Sequence, residues 1–434
     1  MKENNLFYDQ MKNIFKDEYE DFIKALKEPL SQSFFLNTLK GDKQDLFELI
    51  DFNYTNSEYN ENSYYYKDLQ IGKTIAYDLG LIYPQEMSAS IPAKILNPKK
   101  DALIVDMCSA PGGKSINLAN ISKDSGLLIS NEYDYKRAMI LTSNLERMGI
   151  SNVIVTNKNG NELAKDLYHK ADYVLLDAPC SGEGMAKKHP SVIEEYSLTN
   201  VMHCHNMQKE LIENAYDILK NDGYLVYSTC TYEMLENEDI IKKFLNNHDD
   251  MELIDIDHFY KRRGIGNDKT IRFTVLDNTE GQFVALLHKK GEKENINLKY
   301  KKTIKNKIVE DFIKQNLNLD EYCLYEQNGY YYLSLKPLID INRNVLRYGI
   351  YLGEIKKNIF HPSFTMYRSN LLKPYFKYVI DLNDEEYLKY RSGLSVFKEC
   401  QNAYYLLTYK SYSFSFTKAS NGELKNKHPK GLRF

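Results

Sequence analysis

Tryptophan is absent from this 434-residue sequence, and cysteine (six) and proline (eleven) are scarce. Six cysteines over this length are too few for a disulfide framework, so a reducing, cytoplasmic setting is expected. No run of about 18 apolar residues occurs, so no membrane-spanning helix is expected. The first residues, MKENNLFYDQMKNIF, lack the apolar core of a signal peptide. An excess of one charge is lacking as well: 57 Lys and Arg oppose 60 Asp and Glu, for a net charge of −3. That balance carries no global mark of a nucleic-acid partner, although a local basic stripe suffices for binding. Three ligand motifs are also missing. There is no C-x-x-C pair for zinc, no G-x-x-x-x-G-K-[ST] phosphate loop and no G-x-G-x-x-G dinucleotide turn.

What is present is length and apolar content, 434 residues at 43% hydrophobic, enough for two to three domains with real cores. The chain opens with amphipathic helical patterns such as DEYEDFIKALKEPL, then a strand-like SFFLNTLK. The polar, aromatic NYTNSEYNENSYYYKD (53–68) reads as a loop or hairpin. From residue 98 the rhythm changes. The apolar runs DALIVD, GLLISNE, SNVIVTN, ADYVLLDA and GYLVYSTC are each separated by a helix-sized segment. That alternation predicts an α/β fold with a doubly wound parallel sheet, and IRFTVLDNTEGQFVALLHK (271–289) reads as a closing antiparallel hairpin. Two lysine-rich stretches, LKYKKTIKNK (298–307) and LKNKHPKGLRF (424–434), read either as solvated faces or as basic contacts. Residues 308–434 mix short strands with one or two helices and suggest small accessory domains.

DMCSAPGGKS (106–115) lies at the turn after the first strand of the sheet. Small residues there let the backbone approach a ligand and offer amides at a helix N-terminus. The next strand ends in Asn131-Glu132, where an acid can accept hydrogen bonds from both ribose hydroxyls. A small turn plus that acid fits a nucleoside cofactor without a pyrophosphate, namely S-adenosylmethionine. The competing reading is an ordinary α/β turn with an incidental Glu132.

Cys180 follows one strand and Cys230 ends another, and in a parallel sheet both strand ends open onto one crevice. Cys180 alone reads as a nucleophile, a metal ligand or a small packed residue. Zinc competes because of His203-Cys204-His205, but neighbouring side chains on a helix diverge, so no metal is expected. Cys108, Cys204, Cys323 and Cys400 read as small packed residues. Two thiols beside S-adenosylmethionine suit methylation at C5 of a pyrimidine. A thiolate adding at C6 makes C5 nucleophilic, and the adduct is later eliminated. Asp177 is placed to hydrogen-bond N3 of the base.

DMCSAPGGKS, NEYDYKRAMILTSNLERMGISNV, LLDAPCSGEGMAKK and YSTCTYEMLENED together resemble the Sun-type RNA cytosine-5 methyltransferases. FLNTLK (35–40), YPQEMSAS (83–90), RYGIYLGEIKKNIFHPSF (347–364) and LKNKHPKGLRF are similar to the RsmF-type branch acting on 16S ribosomal RNA. The resemblance covers nearly the whole chain in collinear order. It implies a Rossmann-like, S-adenosylmethionine-dependent methyltransferase domain (96–292) and a small α+β RNA-binding domain before it (1–95). A linker (293–307), an accessory domain (308–365) and a PUA-like RNA-binding domain (366–434) follow. By resemblance, Cys108, Ser109, Ala110, Pro111, Gly112, Gly113 and Lys114 contact the cofactor, Glu132 its ribose and Asn159 its adenine side. Asp177 lies between cofactor and base. Cys230 is implied as the nucleophile and Cys180 as the thiol that promotes release. Around Asn159 the family pattern carries Asp, so this chain has one charge fewer; Asn still donates and accepts. The implied partner is ribosomal RNA or the 30S subunit, engaged by a monomer, with both lysine stretches as phosphate contacts. Lys187, Lys188 and Arg272 are expected near the crevice. Alternatives are a tRNA cytosine-5 methyltransferase, a non-catalytic RNA-binding assembly factor, or, more weakly, a DNA methyltransferase attacking through Cys180.

Overall fold

The fold is that of a computed structural model describing residues 4–260, 262–292 and 296–433. The expected linker's Lys293–Asn295 and the terminal Phe434 lie outside the described residues. At the centre is one ten-stranded sheet. Its strands are β1 (Leu103–Asp106), β2 (Leu127–Asn131), β3 (Val153–Thr156), β4 (Ala171–Asp177), β5 (Leu219–Thr229), β6 (Met251–Ile254), β7 (Arg263–Gly264), β8 (Asn267–Phe273), β9 (Gln282–Lys289) and β10 (Val345–Tyr348). Their spatial order is β7-β8-β9-β5-β4-β1-β2-β3-β10, with β6 also paired to β9. The five strands β5-β4-β1-β2-β3 run parallel. Strand β9 closes onto β5 in the antiparallel sense, and the 271–289 segment forms the expected hairpin.

Strands such as LIVD and VIVT are buried at every position, as befits a parallel sheet covered on both faces. The helices that cover it start at side-chain caps. Asp134 Oδ1 accepts from Arg137 N (2.8 Å) at the head of α2 (Tyr135–Arg147), and Ser197 caps α4 (Leu198–Ile218). Between them in the covering layers are α1 (Gly113–Ile121) and α3 (Gly160–Leu167). The chain leaves β1 toward β2 on one side and later returns through β4 on the other. The carboxyl ends of β1 and β4 therefore form a topological switch point, the place where such sheets bind ligands.

The flanking modules each carry a sheet of their own. Residues 32–84 form a four-stranded antiparallel sheet that includes the 54–66 hairpin; residues 323–362 form another, and residues 379–426 a five-stranded one. One element crosses the expected domain boundaries. β10 comes from within 308–365, yet it pairs antiparallel with β3 (Val345 opposite Thr156) and completes the edge of the central sheet. Arg347, 2% exposed, fixes it there by donating to Ile150 O and Gly349 O, both at 2.6 Å. No described helix is long and apolar enough to cross a membrane.

Arg368 joins three modules. It is 1% exposed and donates to Phe414 O (3.1 Å), Asp78 O (2.7 Å) and Arg147 O (2.9 Å), carbonyls of the C-terminal, N-terminal and central parts in turn. Removing it takes this donor from three carbonyls, those of Phe414 and Asp78 in buried hydrogen bonds. Arg368→Ala is therefore expected to cost roughly 3 kcal/mol or more, measured as a fall in the thermal-unfolding midpoint of the full chain.

Candidate active site

The carboxyl ends of β1, β2, β4 and β5 surround a cavity of about 720 Å³, within the usual range for a small-molecule site. Of the residues the resemblance implied, Cys108, Ser109, Ala110, Pro111, Gly113, Lys114, Glu132, Asn159, Asp177, Cys180 and Cys230 all line it. Gly112 does not. It lies behind the loop with φ +116°, and a Cβ there would come 3.2 Å from Leu141 Cδ1 on α2. Its role is to let the chain turn into α1. The cis peptide of this region is Ala110-Pro111.

The β1 loop is held by its neighbours as well as by its own Ser109, whose Oγ donates to Asp106 O (2.8 Å). Ser109 N donates to Asn131 O (2.8 Å), while Arg137 and Asn144 on α2 donate to Ala110 O and Pro111 O (3.0 and 2.9 Å). Beneath it Asp106 is fully buried, with Ser115 Oγ donating at 2.6 Å, and burial pushes its carboxyl up to about 7. Glu132 directly follows β2, with one oxygen accepting from Asp134 N (3.0 Å) and the other 3.7 Å from Arg137. Asn159 is both cavity wall and helix cap, its Oδ1 accepting from Glu162 N (2.9 Å) at the start of α3. The cap leaves its amide nitrogen for a ligand. Beside it, Lys158 pairs with Asp166 (2.8 Å) and contacts Asn342 O, so the accessory segment props up the Asn159 loop. These donors and acceptors around a small-residue loop fit S-adenosylmethionine.

The reaction end of the cavity is built on β4 and β5. In register, Asp177 stands opposite Ser228, and both cysteines follow within three residues. Asp177 accepts from Ser228 Oγ (2.7 Å) and Gln282 Nε2 (3.3 Å) and pairs with Lys114 Nζ (2.8 Å). Burial pulls the Lys114 ammonium down, but the Asp177 carboxylate outweighs it and leaves Lys114 raised. Cys180 Sγ lies 3.1 Å from Cys230 Sγ, and the Cys230 amide donates to Cys180 Sγ at 3.3 Å. The hydrogen bond to Cys230, with burial, pushes the Cys180 thiol well above its usual range.

Buried carboxyls fix both cysteine loops. Glu236 accepts from Ser181 N (3.2 Å), the Ser181 hydroxyl and Gln208 Nε2 (2.6 Å); burial pushes it up to about 7. Glu183, also buried and raised by burial, accepts from the Thr231 hydroxyl. Gly184 then straps the loops together. Its N–H donates to Cys230 O and its carbonyl accepts from Gly281 N, both at 2.9 Å.

Several sequence expectations need amendment. Arg272 is buried, bidentate to Glu238 (2.8 and 2.6 Å) and bound to Tyr232 O (2.8 Å), so it holds the hairpin and has no arm free for RNA. Lys188 lines the cavity; Lys187 does not. Cys108 is part of the cavity wall. Within His203-Cys204-His205 the side chains diverge: His203 is exposed, while Cys204 is buried and His205 binds Leu235 O (2.8 Å). Among the described residues no group of three or more His, Cys, Asp or Glu can hold a metal ion. The 298–307 stretch is not a bare linker, since Lys299 pairs with Asp340 (3.0 Å) and Lys301 lies over the Tyr348 ring. Sequence reasoning missed Gln85 and Glu86 from the N-terminal segment, Asn214 on α4, and Glu280 and Gln282, all in the wall. For all but Asn214, which no sequence signal marked, their place in the YPQEMSAS and TEGQF stretches was the hint.

At Gly184 an added Cβ would fall 2.5 Å from Gly281 Cα and 2.6 Å from Cys230 O. Gly184→Ala is expected to displace the cysteine loops and cut kcat/KM by about a hundredfold, with cofactor affinity by calorimetry nearly unchanged.

Known proteins share this organisation. The 16S rRNA methyltransferase RsmB/F family matches residues 93–288, the N-terminal domain of 16S rRNA methyltransferase RsmF residues 4–87, and the methyltransferase RsmF PUA domain residues 377–434. A tRNA (cytosine(49)-C(5))-methyltransferase of Pyrococcus abyssi is 40% identical over 54% of this chain and 76% of its own. The ribosomal RNA small subunit methyltransferase F of Shewanella piezotolerans is 28% identical over 95% of this chain and 93% of its own. Among solved structures, a methyltransferase homologue from Pyrococcus horikoshii superposes with a TM-score of 0.59 at 29% identity, over 65% of this chain and 94% of that one. NSun6 from the same organism, solved with SFG, shares the fold at 24% identity and a TM-score of 0.60, over 67% of this chain and 99% of that one. The chain belongs to the RsmB/F family of S-adenosylmethionine-dependent RNA methyltransferases, enzymes that methylate C5 of cytosine.

Proposed function

We propose that this enzyme methylates a cytosine of small-subunit ribosomal RNA through a covalent Cys230 adduct, with Cys180 assisting release. The observation that carries the mechanism is the pair of sulfurs 3.1 Å apart beside Asp177. In this reading the Cys230 thiolate adds to C6; the S–C6 bond forms and the C5=C6 π pair moves onto C5. S-adenosylmethionine, when bound, supplies the methyl group that this carbon takes. Loss of the C5 proton to a solvent base restores C5=C6 and breaks the S–C6 bond. Cys180 then offers its S–H to the departing Cys230 sulfur. Lys114 and Ser228 hold Asp177 with its carboxylate at the cavity wall, facing the base.

Cys108, Ser109, Ala110, Pro111, Gly113 and Lys114 would form the cofactor cradle, with Gly112 shaping the turn behind it. Glu132 would take the ribose hydroxyls, and the Asn159 amide the adenine side. Reaching C5 requires a base taken out of its stack or one in a loop. Exposed Lys299, Lys302, Lys305 and Lys307, with Lys425, Lys427 and Lys430, are suited to phosphates outside the cavity. We read the enzyme as a monomer acting in the cytoplasm on ribosomal RNA or the 30S subunit. Collinear similarity over 95% of the chain to a small-subunit enzyme, flanking modules included, favours that substrate. Transfer RNA is the second reading, supported by 40% identity to a tRNA enzyme over 54% of the chain.

Bisulfite sequencing of ribosomal RNA with and without the gene tests the substrate, and loss of a 5-methylcytosine from 16S RNA is expected. An unchanged 16S pattern, with labelled methyl entering purified tRNA, would transfer the assignment to tRNA. For the mechanism, Cys230→Ala is expected to abolish methylation and form no adduct. Cys180→Ala is expected to accumulate a denaturation-resistant protein–RNA complex. Reversed phenotypes would make Cys180 the nucleophile.

A further inference from the structure

One carboxyl in the cavity wall has no assigned task. Glu280 is 6% exposed and lines the cavity, yet its buried Oε1 has no hydrogen-bond partner among the described residues. A desolvated carboxyl oxygen with a spare lone pair is costly unless something else meets it. Its neighbours in the wall are already committed. Glu86 accepts from the Glu280 amide (3.0 Å), the Ala89 amide (3.2 Å) and the Ser88 hydroxyl. Asp177 is ringed by the three donors Lys114, Ser228 and Gln282.

Chain neighbours tie Glu280 to the loops that carry the thiols and Asp177. The next residue, Gly281, donates to Gly184 O, and Gly184 in turn donates to Cys230 O. Two residues on, Gln282 reaches Asp177. Both Glu280 and Gln282 line the cavity.

The chemistry of cytosine assigns the two carboxyls different work. Its exocyclic amino group donates, while N3 and O2 accept. Asp177, an acceptor ion-paired to Lys114, suits the amino group and has no hydrogen to give. When sulfur adds at C6, the displaced pair delocalises from C5 through C4 onto N3; the Asp177 carboxylate is no donor, and the Lys114 and Gln282 N–H groups beside it are turned to Asp177.

We propose that Glu280, in its neutral form, donates a hydrogen bond to N3 of the target cytosine as the S–C6 bond forms. The proton is shared with N3 in the adduct and returns to the carboxyl when the C5=C6 bond is restored. Burial, reinforced by the charge of Glu86 from the N-terminal segment, pushes this carboxyl up to about 7. Lys188, from the loop after Cys180, and Lys114, from α1, oppose that shift; Asp177 and the two thiols share the same cavity. The neutral form is full well below this value and is lost as pH rises through it. The inference rests on the reading that Cys230 attacks a cytosine held in this cavity.

Glu280→Gln keeps the shape and carries a permanent N–H donor. The ratio of its kcat/KM to that of the unmodified enzyme is expected to rise with pH, by about tenfold per unit above 7. Glu280→Ala is expected to lower kcat/KM by about a hundredfold, with S-adenosylmethionine affinity by calorimetry unchanged. Should the Ala variant fail to fold, the Gln ratio decides alone. A ratio independent of pH overturns the proposal. The adduct assay separates its failure from that of the parent reading. If Cys180→Ala captures RNA and Cys180→Ala/Glu280→Ala captures it equally fast, Glu280 is not the donor. If Cys180→Ala alone captures none, the covalent reading falls and this inference with it.

Discussion

The pairing of β4 with β5 is the constraint on which the site depends. Two parallel strands in register place Asp177 beside Ser228. The loops leaving them then have nowhere to go but toward one another. That is why two cysteines 50 residues apart in sequence bring their sulfurs to 3.1 Å. Neither loop could hold that approach alone, because each is irregular backbone with polar groups to satisfy. The buried Glu236, Glu183 and Gln208 beneath them supply the missing partners. Burial of this polar layer raises its carboxyls, a cost accepted where the geometry of reacting groups must be kept.

The same economy appears around the cofactor loop. Residues 108–114 contribute mainly small side chains and backbone, and the work of holding them falls to Asn131, Arg137 and Asn144 on the neighbouring strand and helix. A rigid frame of this kind lets the loop present its backbone without collapsing onto it. The flanking modules take part in the frame as well as in whatever RNA they meet. β10 extends the sheet past β3, Asn342 steadies Lys158 next to Asn159, and Glu86 from the N-terminal segment ties down the β8–β9 turn beside the cysteines. Arg368 explains why these modules keep one arrangement, since three carbonyls from three parts of the chain converge on one guanidinium.

The sequence by itself determined the alternation of strands and helices, the small-residue turn at 108–114, the acid at Glu132 and the identity of both thiols. These are local properties, set by periodicity and residue type, and the structure places all of them at the carboxyl ends of the parallel strands. Arg272 shows where local reasoning stops. A guanidinium near the crevice reads as a phosphate contact, but only the fold reveals Glu238 lying against it. Gly112, inside a cofactor-binding motif, proves to serve the turn, because its direction depends on where α2 packs. The tertiary structure alone decided that β10 belongs to the central sheet, that the two thiols meet, and that Glu280 lines the cavity with its Oε1 unpartnered among the described residues. Each depends on contacts between residues far apart in the chain, and on the loss of water those contacts impose, which no local pattern encodes.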